Sequence, residues 1–363
     1  MKKNLKCLVT VFAAAALFFS CKTVEINMRG SYQLPVDYEE ANSWRNGKID
    51  PFVHAIIESP EFSGYRGRDP FEYIQLVGFH IKSNSKNDFE RVKRAHDFVI
   101  DYLTFDVKSY RASVRGFFPK SPKQQDALSV VRTGIALGEG YVNLFKALCD
   151  AMDLQNEIVK GYARGVFFNP LAKKESITQK KGAHQWLIVQ IDECWYIVDV
   201  FWDAGYVVGT KSLFFENKYS TEYLFVNPQQ FVYTHFPYNM NQQLMEYLIQ
   251  PEDFVQLPFQ RPAYFEQVVQ MIPNFIKEYE VPNSVLSMSY LLTEGIELDF
   301  LIYDKTGKKD LGKNQKFFEK KQTKRNSTQF YFNKKDSYIL RIYYRASHYS
   351  GSEYIAECGL IVR

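Results

Sequence analysis

The chain is poor in cysteine, with five in 363 residues, and so few exclude a disulfide-dense scaffold. It has no strong excess of one charge either. Its 45 Lys and Arg stand against 41 Asp and Glu, a net of +4, which gives no basic footprint for a nucleic-acid partner. No stretch approaches the roughly 20 apolar residues that a permanent helical membrane span requires. The six histidines are scattered without paired Cys or His spacing, and no glycine-rich phosphate loop is present, so neither a metal nor another cofactor is expected. What is present is material for a core: 46% hydrophobic residues, 30 Phe and 25 Tyr. That composition predicts a folded chain of two or three domains.

Residues 1–20 read as a targeting segment. Lys2, Lys3 and Lys6 precede an apolar run over residues 7–19 that only Thr10 interrupts, too short to cross a bilayer. The run ends Leu17-Phe18-Phe19-Ser20-Cys21, which resembles a bacterial lipoprotein signal, although smaller residues are usual where Phe18 and Phe19 stand. The resemblance implies acylation of Cys21, export, and a lipid anchor in a bacterial membrane, inner or outer. Loss of the leader lowers the charge from +4 to +1. Residues 21–50 are polar and read as a tether. Cys149, Cys194 and Cys358 then remain, an odd number that argues against a disulfide framework.

Beyond the tether the pattern is α+β. Phe89, Val92, Ala95, Val99 and Leu103 recur at helical spacing, and a second helix starts near Gly138 with Tyr141, Phe145, Leu148 and Met152 on its buried stripe. Two β-rich runs, AHQWLIVQI and CWYIVDVF, meet at Asp192-Glu193. Residues 259–363 show short strands between polar turns, including SVLSMSYLL, IELDFLIYD, TQFYFN, SYILRIYY and SEYIAECGLIV, and read as an antiparallel, Ig-like β-sandwich. Residues 304–325 carry nine Lys or Arg and three Asp or Glu. They read as a solvated turn, or as a contact for anionic headgroups or an acidic polymer.

The hairpin is where chemistry is expected. With Asp192-Glu193 as a two-residue loop, Ile188 faces Ile197 and Trp186 faces Asp199. His184 and Asp199 then become diagonal neighbours about 7–8 Å apart at the backbone, within reach of an imidazole Nδ1–H to carboxylate bond. Such an Asp orients a catalytic His and stabilises its charged form; a buried His satisfied by an Asp is the plainer explanation. Here the sequence resembles the transglutaminase-like superfamily with its papain-type Cys–His–Asp arrangement. The residues that carry the resemblance are DFERVKRAHDFVIDYLTFD, QDALSVVRTG, EGYVNLFKALCDAMDL, GYARG, AHQW and WYIVDVFWDAG. Downstream, YLFVNPQQFVYTHFP and QQLMEYLIQPEDFVQLP are similar to the extension of the kyphoscoliosis-peptidase-like branch. The resemblance implies a papain-type core with its extension over residues 51–258, with His184 as base and Asp199 as orienter.

One position departs. The family runs G-V-C-E-G-Y-A, whereas this chain reads Ala136-Leu137-Gly138-Glu139-Gly140-Tyr141-Val142, so Gly138 stands where the nucleophilic Cys belongs. A base and an orienter without a nucleophile form no thioester. The expected function is therefore a membrane-anchored, catalytically degenerate domain that binds a polypeptide or cell-envelope polymer, with Trp186, Trp202 and His235 walling its cleft. The alternative is an active cysteine hydrolase or acyltransferase with another nucleophile.

Overall fold

Asn87 starts the helix Asp88–Tyr102. Its side chain accepts from the Glu90 N–H at 2.9 Å, and the Glu90 carboxylate accepts in return from the Lys86 N–H at 2.6 Å. The buried face holds Phe89, Val92, Ala95, Phe98 and Val99, as the spacing predicts. The structure, a computed structural model, describes residues 38–116, 124–165, 168–173, 175–177, 183–209, 213–312, 318–324, 326–346 and 351–363. The expected signal peptide and Cys21 lie outside the described residues.

The helix Gly138–Ala151 buries Tyr141, Val142, Leu144, Phe145, Leu148 and Cys149. It packs between the helices Pro70–Asn84 and Asp88–Tyr102 and one face of an antiparallel sheet. That sheet runs in the order Leu224–Val226, Cys194–Val198, Ala183–Ile191, Asn156–Ala163, His235–Pro237. Asp192 and Glu193 adopt left-handed φ values of 47° and 66°, making the tight turn that sets Leu187 opposite Val198 and Ile188 opposite Ile197. The hairpin register is the one predicted, but the second strand stops at Val198. Val200–Ala204 is a helical turn rather than a continuation of the strand.

Residues 38–50 depart from the tether reading. Tyr38–Ser43 is helical with Ala41 fully buried, and Arg45 donates to the carbonyls of Thr221 and Glu222 and to the Glu266 carboxylate. An apolar Ala and a multiply bonded Arg dock this segment onto the body.

After Pro258 the chain builds two sheets around one apolar core that includes Met288, Phe300, Phe330, Leu340, Ile355 and Cys358. One sheet runs Phe259–Gln260, Glu353–Val362, Ser337–Ala346, Ile296–Asp304. The other runs Val268–Ile272, Val285–Leu292, Ser327–Phe332, Phe318–Lys324. Two details differ from the expectation. Glu278–Val281 pairs parallel to Glu353–Val362, so the arrangement is not wholly antiparallel. Phe318–Lys324, read as part of a basic turn, is an edge strand: Phe318 enters the core and Lys320 lies over the Phe300 ring. No helix among the described residues is long and apolar enough to cross a membrane.

Candidate functional site

Where the hairpin strand ends, Asp199 caps the short helix Val200–Ala204, its Oδ1 accepting from the Trp202 N–H at 3.1 Å. This frees Oδ2 to meet His184, which projects from the first hairpin strand. The contact runs through His184 Nε2 at 2.5 Å, not through the Nδ1 that the sequence reading assigned. Asp199 is fully buried, and burial alone would raise its pKa. The His184 imidazole, hydrogen-bonded to it, outweighs that and holds the carboxyl well below the usual range.

His235 belongs to this cluster more intimately than a cleft wall would. It is fully buried, stacks on Phe231 at 4.0 Å and meets the edge of Trp202 at 4.3 Å. Its Nε2 lies 3.2 Å from Asp199 Oδ2. Burial lowers its pKa to about 4, against the upward pull of Asp199. Trp186 is also buried rather than lining an open groove. It presses on Gly161, where a Cβ would come within 2.4 Å of the indole and of the Phe236 carbonyl. Trp202 is half-buried, with its ring centroid 6.0 Å from that of His184.

Gly138 opens its helix at N1, with Leu137 as N-cap and no side-chain cap bond, the position where a nucleophile would gain from the helix dipole. The space in front of it is taken. A Cβ at residue 138 would lie 3.0 Å from Phe201 Cδ1, and the Phe201 ring is held by Phe105, Tyr141 and Phe215. Neighbouring Glu139 is exposed. Cys149 is fully buried and its thiol is pushed far up by burial, while Cys194 sits beside the hairpin turn, at the end of the sheet away from His184.

Sequence spacing found no metal pattern, yet His184, Asp199 and His235 bring one ligand atom each within 4.8 Å of one another. They come from three elements, separated by 15 and 36 positions, so no short motif announces them. A second buried polar cluster also escaped the sequence reading. His96 joins Asp97 and Asp203, each at 3.1 Å, with Lys93 and Tyr219 also bonded to Asp97.

No family model matches the chain. Kyphoscoliosis peptidase of Mus musculus is 29% identical over 166 residues, 46% of this chain and 23% of that protein. Lim and transglutaminase domain protein ltd-1 of Caenorhabditis elegans is 27% identical over 228 residues, 58% of this chain and 31% of that protein. The matches therefore span less than a third of these relatives. A crystal structure of a TGase aligns over 47% of this chain and 40% of that chain, with 16% identity and a TM-score of 0.29. The sequence similarity supports a transglutaminase-like, cysteine-peptidase-like domain in this region.

Proposed function

We propose that this chain is a bacterial lipoprotein whose transglutaminase-like domain no longer performs acyl transfer, and that its cleft binds a polypeptide or cell-envelope polymer. The observation that carries the reading is Gly138 at the helix tip with the Phe201 ring 3.0 Å from where a Cβ would stand. There is no side chain to attack a carbonyl, and an aromatic ring crowds the place it would need. The C-terminal sheets fit an Ig-like sandwich that adds binding surface, and Cys21 would hold the protein at the membrane.

The test pairs a glutamine-donor peptide with an amine probe, and separately offers a denatured protein for cleavage. Background rates are expected for the native chain and for His184→Ala alike. Turnover abolished by His184→Ala would overturn the reading. Cys21→Ala is expected to move the protein from the membrane fraction to the soluble one.

The retained His184–Asp199 contact at 2.5 Å favours a rival, a working cysteine hydrolase or acyltransferase. Its difficulty is reach. Cys149 is buried within the helix, and Cys194 pairs with Ile191, seven residues from His184, or about 23 Å along an extended strand. Thiol-probe labelling of either cysteine that disappears in His184→Ala would favour the rival.

A further inference from the structure

We propose that His184, Asp199 and His235 form a site for one divalent transition-metal ion of the zinc type. The argument begins at Thr234. Its hydroxyl donates to the Phe231 carbonyl at 3.1 Å, so its oxygen is left to accept from His235 Nδ1–H at 2.8 Å. In that arrangement the proton of the neutral ring is on Nδ1 and Nε2 carries a lone pair; with the hydroxyl turned to Nδ1 instead, Nε2–H faces Asp199, so a bound metal selects the first tautomer. That Nε2 is fully buried and has no hydrogen-bond partner. It lies 3.2 Å from Asp199 Oδ2, an anionic acceptor. Two buried acceptors at that separation repel unless a cation lies between them.

The His235–Asp199 spacing suits a shared ion, and the His184–Asp199 spacing must open to match it. Two ligand atoms each about 2.0–2.1 Å from a tetrahedral ion lie about 3.3 Å apart, off each other's lone-pair axes. The His235–Asp199 pair has that separation and makes no hydrogen bond. His184 Nε2 supplies the third donor, and its side chain, 12% exposed, is the point of entry from solvent. Metal binding replaces its 2.5 Å hydrogen bond to Asp199. The Nε2 proton moves through solvent to Nδ1, leaving the ring neutral, and the ring withdraws from the carboxylate oxygen to admit the ion. Hydrogen bonds already orient the ligands, Thr234 on His235 and the Trp202 N–H on Asp199, as metal-site imidazoles and carboxylates require. Two imidazoles and one carboxylate suit Zn²⁺ or Co²⁺ over Mg²⁺ or Ca²⁺, and three protein ligands leave one position for water or a ligand donor.

The experiment uses the full chain, purified in detergent, stripped with a chelator and titrated with Co²⁺. One Co²⁺ per chain is expected, with the visible absorption of four-coordinate cobalt and displacement by Zn²⁺. His184→Gln, a partly exposed position, is expected to keep its circular dichroism and bind about 100-fold more weakly. His235→Gln is expected to do the same, and Cys194→Ser to bind unchanged. Absence of stoichiometric binding would overturn the site, as would equal affinity in folded His184→Gln, or a thiolate band lost in Cys194→Ser. The readout is spectroscopic and does not depend on whether the domain performs acyl transfer, so the two proposals fail separately.

Discussion

At residue 138 a single missing side chain is compounded by its neighbour. Adding a Cβ there brings a carbon to 3.0 Å from the Phe201 ring, so Gly138→Cys must push by a few tenths of an ångström on an aromatic that three other rings hold. The substitution alone is expected to cost about 1–3 kcal/mol of stability by urea unfolding and to give a thiol of ordinary reactivity. Combined with Phe201→Ala, the introduced thiol gains room beside His184 at the helix N-terminus. Its iodoacetamide reaction at pH 6 is then expected to run at least about 10-fold faster than in Gly138→Cys, through a depressed pKa. Equal rates in the two variants would show that the ring does not control the site. The family resemblance singled out Gly138, but the ring beside it was not legible. Phe201 is 63 positions away and looked like part of a strand until the Asp199 cap turned the chain.

At the level of elements, periodicity and turn chemistry were legible because they are local. The helix Asp88–Tyr102 follows from its apolar stripe, and the hairpin register follows from a two-residue loop. Side-chain atoms and distant pairings were not. The imidazole nitrogen facing Asp199 depends on the strand ending at Val198, and His235 reaches Asp199 only because its short strand adds beside Asn156–Ala163. The strand Phe318–Lys324 was masked by its lysines, since an edge needs only one buried face. The hairpin turn itself has room for improvement. Asp192 and Glu193 both adopt positive φ, which Asn and Gly adopt with less strain. Asp192→Asn with Glu193→Gly is expected to raise stability by about 1 kcal/mol, read as a higher Tm with no change at the His184 site. A lower Tm would mean that the native side chains hold the turn.

Across the whole molecule, buried charges join segments far apart in the chain. The Arg164 guanidinium, fully buried, donates to Glu175 and to the carbonyls of Tyr233, Phe254, Leu257 and Pro258, and Lys277 of the C-terminal unit reaches the same Glu175. Arg164→Met leaves a buried carboxylate with only Lys277 and the Tyr162 hydroxyl beside it and is expected to cost about 3–5 kcal/mol in urea unfolding. A loss below about 1 kcal/mol would assign the fold to apolar packing alone. His96 adds a pH dependence. Burial opposes its charge, but the hydrogen bonds to Asp203 and Asp97 outweigh this and raise its pKa above the ordinary value. The folded state thus holds that proton more tightly than the unfolded one. Its stabilisation is complete below about pH 6.5 and is lost as pH rises through the folded pKa. Urea midpoints measured from pH 6 to pH 9 are expected to fall in the native chain and to fall less in His96→Gln; parallel curves would remove His96 from the account.

The sheet that ends in Phe318–Lys324 shows how the fold limits its own growth. One open margin carries Lys320 and Lys321, and the opposite strand, Val268–Ile272, has a register irregularity between Val268 and Gln270. A second polypeptide trying to extend the ladder meets ammonium groups on one side and a kinked backbone on the other. Among the described residues, Lys320, Lys321 and the irregular strand Val268–Ile272 thus disfavour strand addition at the two margins of this sheet.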